Sequence, residues 1–252
     1  MSLSFERTQS VAVLGGGPGG YEAALAAAQL GAEVTLVERA GVGGSAVITD
    51  VVPSKSLIAT ADAAVAISEA SDLGVQLFAT GEKGKPLKPQ VAINLAAVNK
   101  RLLSLARQQS DDMRAQLVEA GVRIISGHGR LDGEHAVVVS TGPGGTDFDR
   151  VEADTLVVAV GASPRELPSA KPDGERILTW TQLYDMKALP EHLIVVGSGV
   201  TGAEFASAYM NLGAKVTLIS SRDQVLPGED RDAAAVLEKV FTRGGMTVMW
   251  RS

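Results

Sequence analysis

The residues whose types and intervals most directly prescribe chemistry are six glycines in two sets of Gly-x-Gly-x-x-Gly spacing: Gly15, Gly17 and Gly20, then Gly197, Gly199 and Gly202. In such a set the first glycine permits a tight turn, the second lets backbone approach a pyrophosphate, and the third lets a helix pack closely on a strand. The helix that follows presents unpaired N–H groups and a partial positive charge to the phosphates. One such match is weak evidence. Two, each between an apolar run and an alanine-rich helical pattern, point to two dinucleotide sites.

The two sets differ where each second strand ends. Glu38 follows Gly15 at the position where a carboxylate can accept the ribose hydroxyls of an adenosine. The second copy has Ser220 there, followed by Ser221 and Arg222. A carboxylate would repel a 2′-phosphate, whereas hydroxyls and a guanidinium can donate hydrogen bonds to it. The second site is therefore expected to accept NADPH, with NADH as the alternative if Ser-Ser-Arg is only a polar loop.

The elements that must position these residues are repeated. Residues 11–39, VAVLGGGPGGYEAALAAAQLGAEVTLVER, lie without a gap on residues 193–221, LIVVGSGVTGAEFASAYMNLGAKVTLISS, an offset of 182 positions that carries residue 11 onto residue 193. Each copy reads strand, helix, strand, so the expected fold class is α/β, with two Rossmann-like doubly wound domains. Between them, Pro53 to about Ala70 is apolar at helical spacing with a first-turn proline. Residues 71–90, rich in Gly and Pro, read as a surface loop, and Val91–Ala120 as a long helix. Strands are expected near Val122–Ser126, Ala136–Ser140 and Thr155–Val160, with TGPGGTD at 141–147 as the turn joining the last two. A helix over Asp230–Arg243 and a strand from Met246 to Trp250 complete the pattern, which leaves the second domain incomplete at its C-terminal side.

Composition narrows the function classes. With 45% hydrophobic and 21% charged residues the chain can bury one large core or two ordinary ones. A formal charge of −6 and no basic stretch interleaved with aromatics argue against a nucleic-acid partner. The start, MSLSFERTQS, carries Glu6 and Arg7 where a signal peptide needs an apolar run, and no later segment is read as a membrane span, so a cytoplasmic location is expected. Zero cysteines exclude a disulfide, a thiolate metal site or a thiol nucleophile within these 252 residues. His128, His135 and His192 sit on or beside strand and turn segments and are not expected to be catalytic; no metal site is expected.

The stretches VLGGGPGGYEAA, GGSAVITDVVPSKSLIAT, VVAVGASPRELPSA, PDGERILTWTQLYDM and LPEHLIVVGSGVTGAEF resemble the flavoprotein pyridine nucleotide-disulfide oxidoreductases, the family of dihydrolipoamide dehydrogenase and glutathione reductase. Within it they resemble the actinobacterial cysteine-less branch of NAD(P)H:quinone reductases. The resemblance covers the whole chain but only about the first half of a typical member. It implies an FAD-binding domain over residues 1–161 and an NAD(P)-binding domain over 162–252, while the later interface domain that makes such proteins homodimers has no counterpart here.

Carried over by position, the resemblance implies that Gly15, Gly17, Pro18, Gly19 and Gly20 cradle the FAD pyrophosphate and that Glu38 meets the adenosine ribose. Gly44 and Ser45 resemble the loop beside the flavin, and Gly127, His128 and Gly129 the backbone beside adenine. Ala159, Val160 and Gly161 stand where many relatives have Ala-Thr-Gly. Gly197, Gly199, Val200 and Gly202 match the nicotinamide-nucleotide loop, with Ser220, Ser221 and Arg222 toward its adenosine end. Against the family pattern Gly-Gly-x-Cys-x-x-x-x-Cys-x-Pro-Ser-Lys, both cysteine positions are occupied by other residues, Ala46 and Val51, while Pro53, Ser54 and Lys55 match. The resemblance pairs Lys55 with Glu204 close to flavin N5, where a cation favours electron density on the reduced ring.

Hydride can pass from a nicotinamide to a flavin without a thiol, because the cofactors carry that chemistry. The expected function is therefore that of a flavoprotein oxidoreductase passing hydride from NADPH or NADH to FAD and then to a small-molecule acceptor, which the resemblance suggests is a quinone. The alternatives are a disulfide reductase borrowing cysteines from elsewhere, a transhydrogenase and an inactive nucleotide-binding fragment.

Overall fold

The computed structural model describes residues 8–78, 84, 86–87 and 89–252. Residues 1–7, with Glu6 and Arg7, and part of the expected 71–90 loop lie outside the described residues. The chain divides into two compact units: residues up to Pro53 with Leu103–Arg165, and Ser54–Leu102 with Glu166–Ser252.

In chain order the elements are β1 (Ser10–Leu14), α1 (Pro18–Gln29), β2 (Glu33–Glu38), α2 (Gly44–Ile48), α3 (Val51–Ser68), α4 (Leu95–Glu119), β3 (Arg123–Ser126), β4 (His128–Leu131), β5 (Ala136–Thr141), β6 (Asp147–Glu152) and β7 (Thr155–Val158). They continue with β8 (His192–Val196), α5 (Val200–Asn211), β9 (Lys215–Ser220), α6 (Arg231–Arg243) and β10 (Thr247–Trp250); a 3-10 helix covers Trp180–Asp185.

The first unit is built on a four-stranded parallel sheet of order β3-β2-β1-β7. Successive β1 residues face opposite sides. Ala12 and Leu14, with Val37 and Ile125, pack under Val137, Val139 and Val151 of a three-stranded antiparallel sheet, β4-β5-β6. Val13 and Leu36 pack on the other side against Tyr21 and Ala24 of α1 and Leu117 of α4. Burial on both faces explains why β1 reads as an unbroken apolar run and β2 as a β-branched, largely apolar one. The long helix begins at Leu95 rather than Val91 because Asn94 caps it, its Oδ1 accepting the Ala97 N–H at 3.0 Å.

The antiparallel sheet corrects the expected strand list. The turn at 141–147 leads into β6, not directly into β7, and β4 is a further strand. β4 has no buried residue, and β6 buries only Val151, so neither carries a clean apolar alternation. The 3-10 helix at Trp180–Asp185 also went unread; its cap is Thr179, whose backbone N–H donates to the Gln182 side chain at 2.8 Å.

The second unit has a three-stranded parallel sheet, β10-β9-β8. α5 packs against β8 and β9 and buries Ala203, Phe205, Ala206 and Tyr209, the Phe205 ring lying beside Trp180 and Tyr184 of the 3-10 helix. The buried Asn99 amide donates to the carbonyls of Leu183 and Met186, at 3.3 and 2.9 Å, and Phe205 lies 5.9 Å from Tyr184 edge-on, which anchors the start of α4 and the 3-10 helix within this unit. On the sheet's other face Thr217 of the central strand is buried beside His192, while the outer strands are open. Ile194, Val196 and Met249 are 57%, 63% and 44% exposed, although Ile194 and Val196 are the repeat counterparts of the buried Ala12 and Leu14.

Among the described residues, 44–68 is the one stretch with the length and composition of a membrane span, a feature the sequence reading did not single out. It is broken at Thr49 and Asp50 between α2 and α3 and carries Lys55 and Asp62.

Candidate functional site

Both glycine sets lie at the carboxyl ends of parallel strands, where open α/β sheets take their ligands. In the first unit Gly15, at φ 93°, leaves β1 with its N–H bonded to the Val37 carbonyl at 2.8 Å. A Cβ on Gly15 would lie 2.3 Å from the Ala159 carbonyl oxygen, and one on Gly20 would lie 1.8 Å from that of Gly15. These two glycines exist for the packing of loop on strand. Gly17 caps α1 with no side-chain hydrogen bond, Pro18 takes the first turn without an N–H, and a Cβ on Gly19 would meet nothing within 4 Å. The first turn of α1 therefore keeps its donors and an open approach, which fits a pyrophosphate.

Glu38 is drawn into the same loop. Its Oε2 accepts the Gly16 N–H at 2.6 Å, and its Oε1 accepts those of Ala40 and Gly41 at 2.7 and 3.3 Å. A carboxylate has about four acceptor positions, so about one is left for a ribose hydroxyl, fewer than the pair the sequence suggested. Gly43 donates to the Gly16 carbonyl at 2.7 Å, and a Cβ on Gly44 would lie 2.7 Å from the Gly17 Cα, so the 41–44 loop is laid against the glycine loop. Ser45 is exposed in α2. Gly127 donates to the Glu38 carbonyl at 3.0 Å, His128 is exposed on β4, and a Cβ on Gly129 would lie 3.0 Å from Val37. Ala159 bonds to the Leu14 carbonyl at 2.8 Å, and Gly161 turns away at φ 68°. Thus Gly15–Gly20, Glu38, Gly44, Gly127–Gly129 and Ala159 gather at one sheet edge.

Beyond Glu38 a cavity of about 310 Å³ is lined by Arg39, Gly41, Arg107, Ser110 and Arg114. Arg107 and Arg114 were missed. Their signal is the seven-residue spacing, two helical turns, that puts both on one face of α4.

The second unit repeats the arrangement. Gly197, at φ 114°, bonds to the Ile219 carbonyl at 2.9 Å, and a Cβ on Gly202 would lie 1.9 Å from the Gly197 carbonyl oxygen. Gly199 caps α5 without a side-chain hydrogen bond, and Val200 at the first helical position is exposed. Past β9 the expectation for Ser220 needs correction. It is fully buried, its Oγ 2.7 Å from that of Ser198 and accepting the Arg222 N–H at 3.1 Å, so the hydroxyl is occupied within the protein. Ser221 and Arg222 instead line an open cavity of about 610 Å³ with Asp223, Arg231 and Arg251.

Lys55 and Glu204, 149 positions apart in sequence, form a forked ion pair, Nζ 2.6 and 2.8 Å from the two carboxylate oxygens. Both belong to the second unit, on α3 and α5. The Lys55 side chain is 53% exposed, so a ligand can reach its ammonium. Ala46 and Val51, at the pattern's cysteine positions, lie in α2 and at the start of α3. His192 Nε2 lies 2.8 Å from the Thr217 hydroxyl, His135 is exposed in a bend, and no cluster among the described residues could hold a metal ion.

Fold and loops together define an α/β protein with paired dinucleotide-binding folds. The chain belongs to the pyridine nucleotide-disulphide oxidoreductase family, whose profile matches residues 9–252. It is 48% identical over 245 residues to an NAD(P)H dehydrogenase (quinone) of Mycobacterium tuberculosis, covering 94% of this chain and 48% of the relative. It is 35% identical over 240 residues to a dihydrolipoyl dehydrogenase of Zymomonas mobilis, covering 95% of this chain and 49% of the relative. Among solved structures, LpdA of Mycobacterium tuberculosis superposes with a TM-score of 0.85 at 45% identity, over 97% of this chain and 51% of that one. The chain spans about half the length of the relatives it matches.

Proposed function

We propose that this chain is the nucleotide-binding part of a flavoprotein NAD(P)H oxidoreductase, with FAD held by residues 1–161, NADPH or NADH by residues 162–252, and a quinone-type small molecule as the final acceptor. The observation that carries the reading is the absence of any cysteine from a chain that otherwise keeps both glycine loops and the Lys55–Glu204 pair. A cytoplasmic setting and, for the full-length protein, a homodimer accord with the family resemblance.

Bound FAD supplies the hydride acceptor and the electron donor of such a reaction. The chain's own residues bind and orient. The uncapped turns of α1 and α5 offer backbone N–H groups to phosphates, and Glu38 offers a lone pair to a ribose. Glu204 fixes the Lys55 ammonium by two short hydrogen bonds, and the resemblance assigns that ammonium to flavin N5. With no thiol in these 252 residues, the chain itself offers no dithiol relay, and an acceptor would have to meet a bound flavin directly. The relative named NAD(P)H dehydrogenase (quinone) supports a quinone in that role.

The test is the visible spectrum of the protein with FAD, recorded anaerobically before and after NADPH and then after a soluble naphthoquinone. The flavin bands should bleach and return. Lys55→Met should slow bleaching by at least about tenfold, the scale of removing one preorganised electrostatic contact. Its melting should barely move, because a half-exposed ion pair contributes less than about 1 kcal/mol. A protein that acquires no flavin, or one whose reduced flavin returns only with a disulfide substrate, would overturn the reading.

A further inference from the structure

The middle residue of each Gly-x-Gly set is tied to its surroundings, and the two copies make the tie with different chemistry. In the first, the Gly16 N–H donates to Glu38 Oε2 at 2.6 Å, and the Gly16 carbonyl accepts the Gly43 N–H at 2.7 Å. A Cβ on Gly16 would lie 3.2 Å from Glu38 Oε2 and 3.3 Å from its Cβ and Cγ, so a carboxylate folded back from the strand end goes with a glycine in the loop. At the repeat offset these two positions become Ser198 and Ser220.

Both serines are buried, at 4% and 0% exposure, and their hydroxyl oxygens lie 2.7 Å apart. Their neighbours set the direction of that bond. Ser220 Oγ accepts the Arg222 N–H at 3.1 Å, and Ser198 Oγ donates to the Gln224 carbonyl at 3.4 Å. A hydroxyl has one proton to donate, so Ser198, which uses its own on Gln224, accepts from Ser220. The hydrogen bonds therefore run one way, from the Arg222 N–H through Ser220 and Ser198 to the Gln224 carbonyl. They join the glycine loop, the end of β9 and the loop that follows.

That loop ties back a second time through its backbone. Leu226 donates its N–H to the Ser198 carbonyl at 2.8 Å, Val225 beside it is fully buried, and the Gln224 amide donates to the carbonyls of Leu226 and Glu229, both at 3.3 Å. Leu226 sits at φ 51°, a left-handed conformation that a leucine keeps only where its surroundings hold it. Ser198 is thus bonded at both hydroxyl and carbonyl. It directly precedes Gly199, the N-cap of α5, whose first turn has no side-chain cap.

We infer that Ser198 and Ser220 are positioning residues, a buried hydroxyl latch that holds the second glycine loop in its binding shape before a nucleotide arrives. The inference rests on the reading that the second unit takes a nicotinamide nucleotide, and deepens it by naming residues that act from beneath the loop, out of a ligand's reach. A loop already set avoids an ordering cost on binding, so loosening the latch lowers affinity.

The probe is ADP-ribose, which carries the pyrophosphate without the nicotinamide, titrated calorimetrically into the purified chain; amide exchange of Leu226 is followed by NMR without ligand. Ser198→Ala and Ser220→Ala should each weaken ADP-ribose about five- to tenfold, and the double variant by no more than about threefold beyond either, because a shared bond is lost only once. In both single variants the Leu226 N–H, whose carbonyl acceptor is unchanged, should exchange at least about tenfold faster. Ser198→Gly with Ser220→Glu, which rebuilds the tie of the first copy, should bring affinity and Leu226 exchange back to within about threefold. Ser220→Glu alone should not, since the Ser198 side chain crowds the carboxylate. Thermal melting by circular dichroism checks that each variant is folded at the titration temperature; if an alanine variant is not, the Gly–Glu pair decides alone, and fast Leu226 exchange in that folded pair overturns the latch. Losses that multiply in the double alanine variant, or Leu226 exchange unmoved in the single ones, sink the inference and leave the nucleotide reading standing. An unsubstituted chain that binds no ADP-ribose sinks both.

Discussion

Tyr209 illustrates at the scale of one residue how burial sets a property that no ligand is needed to reveal. Its phenol is enclosed between α5 and the 3-10 helix, with its hydroxyl 3.3 Å from the Leu183 carbonyl. Desolvation pushes it up to about 12 from the ordinary value of 10.0. A group that resists ionising only when folded stabilises the fold fully below the unfolded value and loses that contribution as pH rises from about 10 to about 12. Denaturant midpoints followed by circular dichroism should therefore fall across that window by the equivalent of about 2–3 kcal/mol, and Tyr209→Phe should flatten the decline. At this scale much of the candidate site was legible. The six glycines announce themselves because backbone that must turn at positive φ, or touch a carbonyl, tolerates no Cβ. Ser220 was misread because sequence cannot tell a hydroxyl facing a ligand from one facing Ser198. Lys55 and Glu204 were paired by resemblance alone; 149 intervening positions leave no local spacing to read.

At the scale of elements, the two strand–loop–helix copies separate what a glycine does for packing from what it does for access. Gly202→Ala drives a Cβ to 1.9 Å from backbone, so α5 must move off β8. A loss of about 3 kcal/mol or more is expected, seen as a lowered melting temperature. Gly199 has an ordinary φ of −69° and an added Cβ there meets nothing within 4 Å. Gly199→Ala should keep the melting temperature within about 2 °C, a shift worth well under 1 kcal/mol, while nucleotide affinity falls at least about tenfold because the methyl occupies the approach of a phosphate. Equal effects of the two changes on melting would refute the division of roles. The α/β class and the parallel core were readable because buried strands and amphipathic helices have distinct periods. β4 and β6 were not, since an antiparallel cover with its outer face in solvent buries too little to leave a pattern. The start of α4 was misplaced for a different reason: a capping asparagine decides it, not hydrophobicity.

For the molecule as a whole, the repeat at an offset of 182 holds for the sheet cores and fails for what lies on them. In the first unit Val137, Val139 and Val151 cover Ala12 and Leu14; in the second, Ile194 and Val196 on β8 and Met249 on β10 are exposed on the two outer strands, with the buried Thr217 and half-buried Ile219 of β9 between them. Neither sequence copy hints at this, because the residues are equally apolar in both and only their cover differs. Apolar side chains exposed in this way on the 252 residues favour self-association. Sedimentation velocity should show concentration-dependent self-association that Ile194→Lys with Val196→Lys suppresses, while polar changes on exposed α6 positions such as Lys239→Gln leave it unchanged. A sedimentation coefficient independent of concentration in the unsubstituted chain would contradict this. These outer-strand positions make self-association of the 252 residues separable, by two substitutions, from the nucleotide chemistry at the carboxyl ends of the same strands.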